Sequence, residues 1–278
     1  MTVGIVGLGL MGGSMAKSLK TKTDHKVLGI DLDDETMMLA RLCGAIDGSL
    51  TKENIKECDV IFLALRPEHA VCWMEENAEN ISPKAIAVDF CGVKRSVVNK
   101  LAPLAQKHGF SYIGGHPMAG KERGGFTSSS ENLYVGASMI LTPDENTDIN
   151  LLETLKKLFL DVGFANLTFS TPDEHDRIIA YTSQLAHIAS SAYIKSPTAQ
   201  KRYGFSAGSF RDMTRVARLD ENMWTELFMN DADYLSEELK ILIANLNEYL
   251  EALESRDAEK LCELLRDGRE KKASAGGN

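Results

Sequence analysis

Of the six histidines in this 278-residue chain, two stand in surroundings suited to proton chemistry. His116 lies in Gly114-Gly-His-Pro-Met-Ala-Gly120, directly after the apolar run Ser111 to Ile113. A neutral imidazole can take or share a proton near physiological pH. The glycines and proline around it are expected to shape a tight loop. His187 closes Thr182-Ser-Gln-Leu-Ala-His187, where helical spacing sets Ser183, Gln184, His187, Ser190 and Ser191 on one polar but uncharged face. Such a face suits a ligand pocket, whereas a solvated stripe more often carries Lys or Glu. Further on, Arg211, Arg215 and Arg218 follow i, i+4, i+7 spacing and would share one flank of a helix. Guanidinium groups grip carboxylates through two parallel hydrogen bonds. Asp212, Asp220 and Glu221 offer Arg211 and Arg218 a plainer use in surface ion pairs.

A second constellation opens the chain. Gly7, Gly9 and Gly12, with Leu10 and Met11 between them, follow a strand-like run and precede the helical pattern Ser14 to Leu19. In that context the first glycine permits a tight turn, the second lets backbone approach a pyrophosphate, and the third lets helix and strand pack closely. The phosphates would rest on the helix N-terminus, where free N–H groups favour negative charge. Asp31 ends the next apolar strand, at the spacing where a carboxylate bonds the adenosine ribose hydroxyls and repels a ribose phosphate. No Arg or Lys occurs in Leu32 to Met38, so NAD is expected over NADP. Asp33 or Asp34 is the better candidate for capping the helix that follows.

The elements that must hold these groups follow from the pattern. Short β-branched runs, Val3 to Val6, Lys26 to Ile30, Val60 to Leu65, Ala85 to Phe90 and Ser111 to Ile113, alternate with helical segments, the rhythm of βαβ units around a parallel sheet. Ser138 to Thr142, the helical run Leu151 to Phe159 and the strand Asn166 to Phe169 would close this unit. The expected architecture is α/β, a Rossmann-type doubly wound sheet over residues 1–171 followed by an all-helical domain over residues 172–278. The second domain starts with Pro172-Asp-Glu174, which suits a helix N-terminus. Leu235, Leu239, Leu242, Leu246, Tyr249 and Leu253 step by four and three, a seam for another helix in the same bundle or across a homodimer.

Composition narrows the partners. A net charge of −9 and 44% hydrophobic residues argue against nucleic acid or anionic membrane and allow a substantial core. The five cysteines show no disulfide or zinc spacing, and no metal site is expected. The chain enters its first strand without a signal or anchor segment, so a soluble cytoplasmic protein is expected.

Taken together, Gly7-Leu-Gly-Leu-Met-Gly12, Gly114-Gly-His-Pro-Met-Ala-Gly120, Thr182-Ser-Gln-Leu-Ala-His187 and Phe210-Arg-Asp-Met-Thr-Arg215 resemble the prephenate dehydrogenase family over nearly the whole chain. The resemblance implies oxidative decarboxylation of prephenate to 4-hydroxyphenylpyruvate, or of arogenate to tyrosine. It implies His116 as proton acceptor, His187 as a hydrogen-bond donor to substrate, and Arg215 as the substrate-carboxylate arginine. Gln184 and Trp224 correspond to positions near the pocket, Trp224 either there, from its own chain or a partner, or in the core. His187 can equally bond a neighbouring backbone carbonyl. Some positions depart from the family. Asp89-Phe-Cys-Gly-Val-Lys94 has Gly92 where many members carry a serine that bonds the histidine or the substrate, and Lys121 and Gln184 replace other residue types. Cys91 is a poor hydrogen-bonding substitute and no step needs it as a nucleophile; Lys94 follows the strand end and could approach cofactor or substrate, but a surface lysine at a helix start is the plainer reading. β-Hydroxyacid dehydrogenases and imine reductases share the glycine pattern, but they require a lysine on the interdomain helix and Asp173 to Tyr193 holds none. A dinucleotide sensor without chemistry would not need His116, His187 and Arg215 together.

Overall fold

In the computed structural model, which describes residues 1–276, the apolar runs become one eight-stranded sheet. The first half runs β1 (Thr2–Val6), α1 (Leu10–Lys22), β2 (Lys26–Ile30), α2 (Asp34–Leu42), β3 (Gly48–Ser49), β4 (Val60–Leu63), α3 (Pro67–Asn77) and β5 (Ile86–Asp89). It continues through α4 (Arg95–His108), β6 (Ser111–Pro117), β7 (Ser138–Thr142), α5 (Ile149–Val162) and β8 (Asn166–Phe169). The strand order is β3-β2-β1-β4-β5-β6-β7-β8. β1 to β6 are mutually parallel; β7 turns back antiparallel to β6, and β8 pairs parallel to β7. Every residue of β4 and β5 is buried, because helices cover both faces. Met15, Leu19, Phe62 and Phe159 pack on one face, Leu63, Met74, Val97 and Leu101 on the other. This is the doubly wound arrangement expected, with β3 added and the expected run Ser138–Thr142 reversed in direction.

One local expectation is overturned. Gly114 to Pro117 do not form a loop but extend β6, with His116 opposite Ile140 of β7. The glycines serve close packing: a Cβ on Gly114 would lie 2.4 Å from Thr142 Oγ1, and one on Gly115 2.7 Å from the Asp89 carbonyl oxygen. His116 is thus carried by a paired strand, a stiffer support than a loop.

The second half is helical: α6 (Pro172–Ile179), α7 (Leu185–Ile194), α8 (Gly208–Thr214), α9 (Glu221–Asn230), α10 (Ala232–Glu254) and α11 (Ala258–Ala275). Thr171 caps α6 by accepting from the Glu174 N–H, with Pro172 in the first turn. One π-helical turn, Ala180–Gln184, joins α6 to α7 in a continuous rod. Its wider turn shifts the faces of the two helices against each other. The seam on α10 divides: Leu235, Leu239 and Leu242 pack within the chain, while Leu246 and Leu253 are exposed beside Ile241, Ile243 and Leu250.

Arg95, the first residue of α4, ties the halves together. Its guanidinium donates to Asp231 at 3.0 Å and to Asp233 at 2.6 and 2.8 Å, reaches Asp176 at 3.4 Å, and lies 4.2 Å from the Tyr234 ring centroid. Two further links join the halves. Arg66 meets Asp220 at 3.2 Å, and Glu226 accepts from the Glu68 N–H at 3.0 Å, at the start of α3. Among the described residues no helix is long and apolar enough to cross a membrane.

Candidate active site

The glycine loop fits a dinucleotide by its spaces. Gly7 has φ +85°, and a Cβ there would come within 2.6 Å of the Ala64 carbonyl; one on Gly12 would strike the Gly7 carbonyl at 1.8 Å. Gly9 differs: a Cβ there would meet nothing within 4 Å, so the loop is open where a phosphate would approach. Among the described residues no side chain caps α1, which leaves its first N–H groups for an anion. Leu10 and Met11 begin that helix. Asp31, just after β2, accepts from the Leu8 N–H at 2.6 Å and the Asp33 N–H at 3.0 Å, fixing its carboxylate beside the loop. Asp33, not Asp31, caps α2 through the Thr36 N–H. A cavity of about 590 Å³ lined by Asp31, Met37, Met38, Arg41 and Leu50 continues outward from this carboxylate and has room for the adenosine end.

The segment between β6 and β7 brings the histidine strand back to the glycine helix. The Ser130 N–H donates to Ser14 Oγ at 3.0 Å, Tyr134 Oη to the Met11 carbonyl at 2.6 Å, and Lys17 Nζ to the Ser129 carbonyl at 3.1 Å. His116 is half-buried near the carboxyl end of the sheet. Its Nδ1 lies 2.9 Å from His175 Nε2, and His175 Nδ1 lies 2.7 Å from Asp176 Oδ1. Nε2 of His116 faces Gly92, where a Cβ would sit 4.0 Å from it and 3.4 Å from Leu227. Burial, with His175 and Lys94 nearby, holds the His116 pKa well below the ordinary histidine value, so the ring is neutral at pH 7.

Lys94 is no surface lysine. It is 0% exposed, and its Nζ donates to the buried carboxylate of Asp89 and to the Gly115 carbonyl at 2.6 Å. Asp89 also accepts from Tyr112 Oη at 2.7 Å, the Cys91 N–H at 2.9 Å and the Gly115 N–H at 3.3 Å. This network locks the end of β5 to the residue before His116. Cys91 is buried with its thiol pushed well up by burial and by Asp89, which removes it as a nucleophile.

The helical half meets this face through Leu227 of α9 and groups His187, Trp224 and Arg215 on its own elements. His187 Nδ1 donates to the Val216 carbonyl at 2.9 Å, the backbone bond anticipated as the alternative, so Nε2 of the neutral ring, without another partner among the described residues, can only accept and is not the donor expected. The His187 ring lies against Trp224 of the same chain, with centroids 3.7 Å apart. Arg215 follows α8 in a 3₁₀ turn, Arg215–Ala217, so the three arginines do not line one helix; Arg211 lies 3.9 Å from Asp212. Arg215 is exposed, yet near enough to help lower the His187 pKa, after burial as the first cause. The uncharged face of α7 is largely spent internally: Ser190 donates to the Met213 carbonyl at 2.7 Å. Gln184 turns inward, 2% exposed, donating to Asp231 at 3.0 Å, with Oε1 unpartnered among the described residues.

Sequence reasoning passed over His175, Asp176, Asp89 and Arg95. An Asp in the second turn of a helix that already opens Pro-Asp-Glu reads as one more solvated surface charge. Here Asp176 turns inward and accepts instead from the N–H groups of Lys94 and Arg95, at 2.7 and 2.8 Å. Only the adjacent His-Asp pair hinted at more.

A doubly wound sheet with an open glycine loop, a carboxylate fixed just after β2 and a neutral histidine close to a helical half defines a two-domain nicotinamide-nucleotide dehydrogenase. Comparison with known proteins narrows the class. Residues 15–166 match the family model for the prephenate dehydrogenase nucleotide-binding domain, and residues 171–267 that for the prephenate dehydrogenase dimerization domain. The chain belongs to the prephenate dehydrogenase family. It is 30% identical to a prephenate dehydrogenase of Bacillus subtilis, over 94% of this chain and 72% of that protein. It is 27% identical to a cyclohexadienyl dehydrogenase of Zymomonas mobilis, over 95% and 92%. A crystal structure of prephenate dehydrogenase from A. aeolicus, in complex with hydroxyphenyl propionate and NAD+, superposes with a TM-score of 0.83 at 30% identity, covering 99% of this chain and 98% of that one. A Synechocystis arogenate dehydrogenase gives 0.82 at 26%, covering 99% and 100%. A 3-hydroxyisobutyrate dehydrogenase from Mycobacterium tuberculosis, at 17% identity and a TM-score of 0.56 over 78% of this chain and 70% of that one, shares the fold alone.

Proposed function

We propose that the chain catalyses NAD-dependent oxidative decarboxylation of prephenate to 4-hydroxyphenylpyruvate, a step toward tyrosine. The observation that carries this reading is the placement of His116: a neutral imidazole on a paired strand, Nδ1 tied to His175 and Nε2 turned to the space beside Gly92. The relatives named prephenate dehydrogenase and the neighbour bound to hydroxyphenyl propionate and NAD+ support the substrate class and the cofactor.

NAD, when bound, accepts the hydride from the ring carbon bearing the hydroxyl. Gly7, Gly9, Gly12, Leu10 and Met11 would receive its pyrophosphate at the start of α1, and Asp31 its adenosine ribose. His116 Nε2 takes the hydroxyl proton as hydride leaves, and the ring carboxylate departs as CO2 while the ring becomes aromatic. Arg215 pairs with a substrate carboxylate and orients the ring. His187 Nε2 reaches the substrate's polar end, with Trp224 as the apolar wall behind it. Gln184, buried and bonded to Asp231, is turned away from the substrate, against the pocket role expected of it. With glycine at position 92, His116 depends on His175 for its orientation.

The exposed Ile241, Ile243, Leu246, Leu250 and Leu253 of α10, within the segment matching a dimerization domain, support a homodimer formed through the helical half. The enzyme is expected to be cytoplasmic. The test is NADH formation at 340 nm with prephenate and arogenate side by side, each repeated with NADP. Turnover of prephenate with NAD supports the reading, turnover of arogenate alone makes the chain an arogenate dehydrogenase, and no turnover with either rejects both.

A further inference from the structure

We propose that His175, backed by Asp176, is a positioning residue that fixes the tautomer of His116 so that an unprotonated Nε2 faces the substrate hydroxyl. The inference rests on His116 being the proton acceptor.

The chain of donors starts from the carboxylate. Asp176 is 0% exposed and accepts from the backbone N–H groups of Lys94 and Arg95 at 2.7 and 2.8 Å. These bonds and that from His175 outweigh burial, and its pKa is lowered, so it is ionised and can only accept. The proton between Asp176 and His175 therefore belongs to His175 Nδ1, across 2.7 Å. A neutral His175 then has a bare Nε2, which can only accept. It lies 2.9 Å from His116 Nδ1, so the proton of that bond belongs to His116, and His116 Nε2 carries the lone pair.

The opposite arrangement fails on both counts. If His116 held its proton on Nε2, two lone pairs would face each other at 2.9 Å unless His175 were doubly protonated. Burial, the largest cause, lowers the His175 pKa even against the pull of Asp176. The charged groups around the pair are Lys94 and Asp89 from the sheet side and Asp176, Arg95 and Asp231 at the junction with α6 and α10. A free imidazole favours the proton on Nε2, so the bond to His175 acts against the intrinsic preference. The same bond serves the reaction: once Nε2 takes a proton, the new imidazolium already donates through Nδ1 toward His175 and the carboxylate behind it.

The test compares two shape-matched variants, His175→Gln, which keeps an acceptor near the position of Nε2, and His175→Met, which removes it. His175→Met is expected to lower kcat about tenfold or more, with KM for prephenate and NAD within about twofold, and His175→Gln to recover most of the loss. Equal kcat in the two variants overturns the proposal, because a space-filling role would not separate them. Selective 15N-histidine labelling reads the tautomer even if a variant fails to fold. In the unsubstituted protein a His116 proton on Nδ1 supports the proposal, and one on Nε2 overturns it. Full rate in His116→Asn would instead overturn the proton-acceptor reading beneath it, whatever the tautomer.

Discussion

Replacing Lys94 by methionine keeps the length of the side chain and removes its charge. In the folded protein the Asp89 carboxylate would remain 0% exposed, held by Tyr112 Oη, the Cys91 N–H and the Gly115 N–H but without its cation. Breaking a buried ion pair from one side costs about 3–5 kcal/mol, and three surviving donors place this case near the lower end, about 3 kcal/mol. For a folding unit of this size each kcal/mol moves the melting midpoint by about 2–4 °C, so scanning calorimetry should show a drop of about 6–12 °C. Protein concentration must be held constant, since subunit association also shifts the midpoint. The double variant Asp89→Asn, Lys94→Met leaves no charge at this pair, and its amide can turn a donor toward the Gly115 carbonyl; it should regain at least half of the loss. A drop below about 2 °C for Lys94→Met, or strict additivity in the double variant, would refute the reasoning. Lys94 is also among the causes that hold the His116 pKa down, so the acid limb of kcat/KM in Lys94→Met should move to higher pH.

Three further outcomes are expected. Arg215→Ala should raise KM for prephenate about tenfold or more with a smaller change in kcat, read in steady-state kinetics, whereas an unchanged KM moves the carboxylate contact elsewhere. Asp231 has its pKa raised to about 7 by burial first and Asp176 next, against Arg95, so its ionisation disfavours the folded state as pH rises from about 4 to 7. Melting midpoints of Asp231→Asn relative to the parent should therefore improve between pH 5 and pH 8, and a difference independent of pH would remove Asp231 as the titrating group. Leu246→Glu with Leu250→Glu should dissociate the proposed homodimer in sedimentation velocity while leaving the helical circular dichroism signal intact; an unchanged mass would place the interface off this face of α10.

The nucleotide half was legible because its determinants are local. Gly7, Gly9 and Gly12 act within one turn, Asp31 follows its own strand, and period-two and period-3.6 patterns set the order of elements. Less was legible around His116. Gly114 and Gly115 read as turn residues, since the demand for a missing Cβ comes from Thr142 and from the Asp89 backbone, on strands distant in sequence. Lys94 followed the rule that lysines are exposed, and only the fold brings Asp89, Tyr112 and Gly115 around it. Gln184 reads as part of the pocket face because its partner Asp231, buried at the start of α10, is distant in sequence.

The central claim is that His116 takes the hydroxyl proton in an NAD-dependent oxidation of prephenate. It is tested most directly by the rate of NADH formation for the parent protein and for His116→Asn at saturating NAD and prephenate. A kcat lower by about 10²-fold or more, with NAD affinity retained, is the predicted result. A kcat within a few-fold of the parent would contradict the account.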